Sequence, residues 1–142
     1  MKVYICGPMT GIPQFNIPLF DKVAAHVREM GFEVVSPAEL DNPETRAASL
    51  ASKDGAPGTG SSNGETWGDF LARDVKLLAD TGIKGFVLLP GWQRSRGARL
   101  EVFVGLLCGI RNFAIYTAAA IGHTTVPIPV DAVRDQLRGN MP

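Results

Sequence analysis

The chain has 142 residues, enough for one domain with a real core. Its 14 Lys and Arg balance 14 Asp and Glu, so the formal net charge is zero. That excludes a broad electrostatic footprint for a nucleic acid polymer or an anionic membrane, though not a small local anion site. Cys6 and Cys108 lie in apolar runs and read as reduced core residues.

Residues 2–6 read as a strand buried on both faces, not as a leader segment. No apolar run reaches the roughly 18 residues that span a bilayer. The expectation is a soluble, cytoplasmic protein. The strand stops at Gly7-Pro8-Met9-Thr10-Gly11. A first helix starts near Asn16, with Pro18 in its first turn and Leu19, Phe20, Val23, Ala24, Val27 and Met30 at helical spacing. Gly31 stops it, and Phe32–Val35 is a second strand. The two strands should be parallel, joined by a right-handed crossover.

Composition changes over residues 42–66, which are rich in Gly, Ser, Asp, Asn and Pro. Residues 45–51 suit a short helix, and 53–65 read as a mobile loop, either disordered or a lid. A helix capped by Thr66 follows, its inward stripe made by Trp67, Phe70, Leu71, Val75 and Leu78. Asp74 falls on that stripe, whereas Asp69, Arg73, Lys76 and Asp80 fall on the polar side. Asp74 is therefore either a buried ion-pair partner or a functional acid. Gly85–Leu89 is a third, fully apolar strand, and the helix spanning about Gly97–Ile110 carries Glu101 among apolar neighbours. Gly105 and Gly109 on that helix permit close approach of a strand, a subunit or a ligand. Phe113–Tyr116 is a fourth strand, the tail from about 118 reads as irregular, and Val130–Leu137 suits a last helix.

Strands alternating with helices predict a single α/β domain over residues 1–142: a Rossmann-like (flavodoxin-like) three-layer sandwich with a mainly parallel sheet. In such sheets ligands bind beyond the carboxyl ends of the strands, at the switch in strand order. The loop Gly7–Gly11 and the loop Trp92–Glu101 both belong to that edge. The first is neither a dinucleotide fingerprint nor a Walker loop; it allows only close backbone approach. In the second, Ser95, Arg96 and Arg99 offer donors ahead of a helix N-terminus, which suits an anion such as phosphate. Glu101 and Asp74 form a carboxylate pair able to divide nucleophilic and proton-transfer roles at an anomeric carbon. His26 and His123 lack ligand spacing, so no metal or cofactor is expected.

These residues resemble the nucleoside 2-deoxyribosyltransferase superfamily, in particular small, often phage-encoded members similar to the 2′-deoxynucleoside 5′-monophosphate N-glycosidases. The resemblance rests on Tyr4-Ile5-Cys6-Gly7-Pro8, the signature Gly7–Gly11, Asp74, Leu89–Trp92, and Ser95-x-Gly97-x-x-x-Glu101. It implies Glu101 as the nucleophile at C1′, Asp74 as the acid that handles the base, and Tyr4 as a contact of nucleophile or sugar. It implies Gly7, Pro8, Met9, Thr10, Ser95, Arg96, Gly97 and Arg99 as substrate-binding residues. Ser95 stands where the transferases carry an aspartate, and a serine there favours a 5′-phosphate. The chain departs at Thr10, where the monophosphate glycosidases have arginine; Arg96, Arg99 or Arg46 is the expected substitute. The implied activity is cleavage of the N-glycosidic bond of a 2′-deoxyribonucleoside 5′-monophosphate, by hydrolysis or base transfer, in a homodimer or higher homo-oligomer. The alternative is a non-catalytic binder of a nucleotide or an ADP-ribose-like ligand in the same crevice.

Overall fold

A computed structural model describes residues 1–57, 59–60, 64–119 and 122–139, with the side chains of Ala119, Gly122 and His123 excepted. The elements in chain order are β1 (Lys2–Cys6), α1 (Ile17–Glu29), β2 (Glu33–Val35), α2 (Pro43–Ala51), α3 (Trp67–Asp80), β3 (Gly85–Leu88), α4 (Arg96–Leu107), β4 (Asn112–Ala119), β5 (Gly122–Ile128) and α5 (Val130–Gly139). Short 3₁₀ turns occupy Pro37–Glu39 and Trp92–Arg94, and a turn with left-handed residues occupies Pro13–Asn16. The five strands form one sheet in the order β2-β1-β3-β4-β5. The first three pairings are parallel, and β5 runs antiparallel to β4.

Strand alternation sorts side chains to two faces. On one face Val3, Ile5, Val87 and Leu89 pack with Ile17, Phe20, Val23 and Val27 of α1. On the other, Tyr4, Cys6, Phe86 and Leu88 pack with Leu78 of α3, Ala98 and Val102 of α4, and Val133 of α5. This is the three-layer α/β sandwich that the alternation of strands and helices predicts. Gly105 is explained here: a Cβ on it would lie 2.3 Å from Cε2 of Phe86, so α4 approaches β3 only because the residue has no side chain. Of the three possible neighbours, it is the strand that comes close. Gly109 instead ends α4 in a left-handed turn, at φ +85°.

Two expectations need correction. The tail is not irregular from 118: β4 extends to Ala119 and β5 pairs with it from Gly122, with Phe113 opposite Ile128 and Tyr116 opposite Thr125. Residues 120–121 and 140–142 lie outside the described residues. Cys108 is exposed, at the C-terminal cap of α4, while Cys6 is fully buried. Where it is described, the segment after α2, expected as a mobile loop, is hydrogen-bonded to the first loop and within itself. Gly11 N–H donates to the Gly55 carbonyl and Gln14 N–H to that of Ser52, both at 2.8 Å. The Ser49 hydroxyl donates to the Gly60 carbonyl at 3.1 Å. Gly58 and residues 61–63, part of the expected mobile loop, lie outside the described residues.

The first loop matches this partner closely. A Cβ on Gly55 would lie 2.1 Å from the Ile12 carbonyl oxygen, so the two backbones touch. Gln14, Phe15 and Asn16 are all left-handed, with φ of 58°, 51° and 61°. Non-glycine residues in that region each cost about 1–3 kcal/mol unless the surroundings hold them. The Ser52 carbonyl bond to Gln14 is one restraint. Another is Asn16 Nδ2, which donates to the Pro8 carbonyl at 2.9 Å.

Candidate active site

Strand order changes direction at β1, which has β2 on one side and β3 on the other. At the carboxyl ends of β1 and β3 opens a cavity of about 1140 Å³. Sites in α/β sheets form at this place because the two chain directions leave a crevice there. The loop after β1 forms one wall, and the turn and helix start after β3 form another. Residues of α3 close a third side, and residues of the 41–65 stretch, among them Asp41, Ser49, Pro57 and Glu65, cover it.

Most of the predicted site residues meet here: Gly7, Pro8, Met9, Thr10, Asp74, Ser95, Arg96, Gly97 and Glu101 all line the cavity. Tyr4 is completely buried in β1 and lies under Glu101 and Asp74 rather than on the cavity surface. Arg99 is not among the lining residues, and Arg94, from the 3₁₀ turn before α4, lines the cavity in its neighbourhood. Arg46 is also elsewhere: it pairs with Asp21 at 2.5 Å and donates to the Ala38 carbonyl at 2.8 Å. Ser95 is the N-cap of α4, its hydroxyl accepting from Ala98 N–H at 3.3 Å.

Helix α3 begins with a full capping box: Thr66 Oγ1 accepts from Asp69 N–H at 3.2 Å, and Asp69 Oδ2 accepts from Thr66 N–H at 2.8 Å. This fixes the register in which Asp74 and Leu78 are buried. Trp67 departs from its expected inward place. It is 43% exposed at the cavity wall, with the Arg96 guanidinium 4.8 Å from its ring centre. Arg73 departs in the opposite sense. It does not sit on a solvated face but forms a hub, its Nε donating to Asp74 Oδ1 at 2.9 Å and its Nη1 to Asp41 Oδ1 at 2.5 Å. The helical wheel assigned Arg73 to solvent because its second partner comes from a turn 32 residues earlier in sequence.

Glu101 is 8% exposed and Asp74 6% exposed. Burial raises the Glu101 carboxyl to about 8, with the Asp74 charge adding to the rise and the Tyr4 hydroxyl and Arg73 opposing it. Glu101 therefore carries its proton for most of the time at neutral pH. Asp74 is also raised by burial, but Arg73 beside it pulls the value back. The Tyr4 phenol and Cys6 thiol are pushed well up by burial and by both carboxylates, so both stay protonated. Glu101 Oε2 and the Tyr4 hydroxyl are shielded from water with no hydrogen bond of good geometry, although they are near enough to influence each other's ionisation. Buried polar atoms without partners are uncommon and costly, and sites of chemistry are where they are kept. A pair of carboxylates, one mostly protonated and one held by a cation, can move one proton and offer one negative oxygen.

Residues 1–54 match the family described as Domain of unknown function (DUF4406). The match covers Tyr4, the first loop and Asp41, and ends before α3, so neither Asp74 nor Glu101 falls within it. No curated protein matches the chain. Among the described residues, no helix is long and apolar enough to cross a membrane.

Proposed function

We propose that this protein is an N-glycosidase that cleaves the base from a 2′-deoxyribonucleoside 5′-monophosphate, with water or a second base as acceptor. The observation that carries the reading is the Glu101–Asp74 pair, two nearly buried carboxylates lining a cavity at the switch in strand order. In this reading the Glu101 carboxylate attacks C1′. A C1′–O bond forms, the C1′–N bond breaks, and the departing base takes that electron pair together with a proton from Asp74. Water then attacks C1′, gives its proton to the Asp74 carboxylate, and releases Glu101. Both roles need one proton in all, which is what the resting pair holds, but on Glu101. Substrate binding must therefore bring that proton to Asp74.

Arg94, Arg96 and the N-terminal turn of α4 suit the 5′-phosphate, taking the place that Thr10 leaves without an arginine. Gly97 has no side chain to stand between this turn and the ligand. A Cβ there would approach nothing nearer than Trp67, at 3.8 Å. A homodimer acting on the cytoplasmic nucleotide pool belongs to the same proposal. Leu100, Phe103 and Leu107 stand exposed along α4 and offer it an apolar contact. Light scattering on the purified protein tests that contact, and a strict monomer counts against it.

The activity test is chromatographic: incubate wild type and Glu101→Gln with a panel of deoxynucleosides and their 5′-monophosphates, and quantify the free base. Wild type is expected to release base from a monophosphate, and the variant to lose at least about a thousandfold, as for the loss of a covalent nucleophile. A 2-deoxyribosyl adduct on Glu101, seen by mass spectrometry, supports the nucleophile directly. Undiminished base release by the variant removes Glu101 from that role. Stoichiometric binding with the nucleotide recovered intact favours the non-catalytic binder.

A further inference from the structure

Arg73 and Asp74 are consecutive on α3, and consecutive helical side chains point roughly 100° apart, so the helix alone does not bring them together. Their contact needs a third party. The Arg73 Nη1 reaches Asp41 Oδ1 at 2.5 Å and the Nη2 reaches the Pro37 carbonyl at 3.4 Å. Both partners belong to the stretch that leaves β2. With its fork held there, the Nε is turned onto Asp74 Oδ1 at 2.9 Å. The guanidinium carbon also lies over the Phe70 ring, 5.5 Å from its centre. The side chains of Asp41 and Asp74 are 8% and 9% exposed, so the tie is largely shielded from solvent.

Four groups act on the two site carboxylates from different elements: Tyr4 and Cys6 from β1, Asp41 from the stretch after β2, and Arg73 from α3. Arg73 is the cation among them and acts on both Asp74 and Glu101. Burial works against its charge, but Asp74 and Asp41 more than restore it.

We propose that Arg73 is a positioning residue that ties the Asp74 carboxylate to residues 37–41 and so fixes Glu101 as the member of the pair that holds the proton at rest. The tie stands on its geometry. Its consequence for catalysis rests on the glycosidase reading: the transfer of one proton from Glu101 to Asp74 must loosen the Arg73–Asp74 contact, because a neutral carboxyl no longer holds the guanidinium strongly. Residues 37–41 thereby gain a say in the timing of the proton transfer.

The experiment is a ¹³C NMR titration of the side-chain carboxyls in ligand-free wild type, Arg73→Gln and Arg73→Lys. In wild type Glu101 is expected to titrate above Asp74. Arg73→Gln is expected to raise the Asp74 midpoint by about 1–2 pH units, the usual influence of an adjacent guanidinium, and to narrow its gap to Glu101. Arg73→Lys keeps a charge but cannot span three acceptors, so its shift should have the same sign and be smaller. Folded Arg73→Gln with both midpoints unmoved overturns the proposal. If that variant does not fold, Arg73→Lys decides: a raised Asp74 midpoint supports the tie and an unmoved one overturns it. By linkage an ion pair that served the fold alone would also move the Asp74 midpoint, so the kcat of Arg73→Lys is what separates a role in proton transfer from one in stability. The titration needs no turnover, so wild type that releases no base would count against the glycosidase and leave this result standing. If base is released, Arg73→Lys should lower kcat with KM nearly unchanged.

Discussion

The floor of the cavity and its roof are built on different principles. The floor is a sheet edge flanked by helices, and side chains hold it: Tyr4, Cys6 and Phe86 on one face, packed against Leu78, Ala98 and Val102. The roof is the first loop laid against the segment after α2, and backbone holds it. Gly11 and Gln14 donate to Gly55 and Ser52, and glycine hydrogens make the contact faces. A floor of interlocking side chains can bear two buried acids, since each is fixed by many neighbours. A roof of backbone bonds between small residues opens at lower cost, because little apolar area is lost with each bond.

The sharpest way to test the floor is to neutralise its acid. Glu101 titrates at about 8 in the folded chain against an ordinary 4.5. Its folded value is raised, so its favourable contribution is complete below pH 4.5 and is lost as pH rises through 8. Over that window wild type should lose on the order of 5 kcal/mol from this group. Glu101→Gln should abolish this loss, so denaturant unfolding should find the variant more stable than wild type at pH 8 and closer to it at pH 5. A variant no more stable at pH 8 would show that Glu101 is not strained by its burial.

Next in size is packing. Gly105→Ala places a methyl 2.3 Å from the Phe86 ring, and overpacking of this kind costs about 1–3 kcal/mol. A lowered urea midpoint with an unchanged slope is expected. The smallest global effect should come from the roof. Gly55→Ala drives a methyl into the Ile12 carbonyl oxygen at a φ of +66°. Because the roof can open locally to relieve the clash, global stability should fall by less than for Gly105→Ala, while the amides of Gly11 and Gln14 should exchange much faster. If Gly55→Ala unfolds the chain as readily as Gly105→Ala does, the contrast between roof and floor fails.

The same contrast explains how much could be read from sequence. Helical and two-residue periodicities report side-chain burial, so β1, α1, α3, β3 and α4 were legible, as were Asp74 and Glu101 as acids on apolar stripes. Residues held by partners distant in sequence were not legible. Arg73 looks solvated until Asp41 is folded against it, Arg94 carries no periodic signal, and the periodicity that puts Trp67 on the apolar stripe does not show that it faces the cavity. β5 was missed because it is an edge strand containing Thr124, Thr125 and Pro127, a composition suited to half-exposed pairing rather than to a core. The roof escaped because backbone hydrogen bonds leave almost no trace in residue type beyond Gly55 and Gly60.

The left-handed run Gln14–Phe15–Asn16 has a consequence for modularity. The stretch between α2 and α3 looks like an insert that could be trimmed to a short connection. Yet the Ser52 carbonyl is one of the groups that keep this run in its disfavoured shape, and Phe15 lies against the bare face of Gly60. A trimmed chain would have no reason to keep three residues there, and the loop after β1 would relax to another course. The two stretches are one unit divided in the chain, and a graft that carries either without the other should lose the cavity wall with the cover.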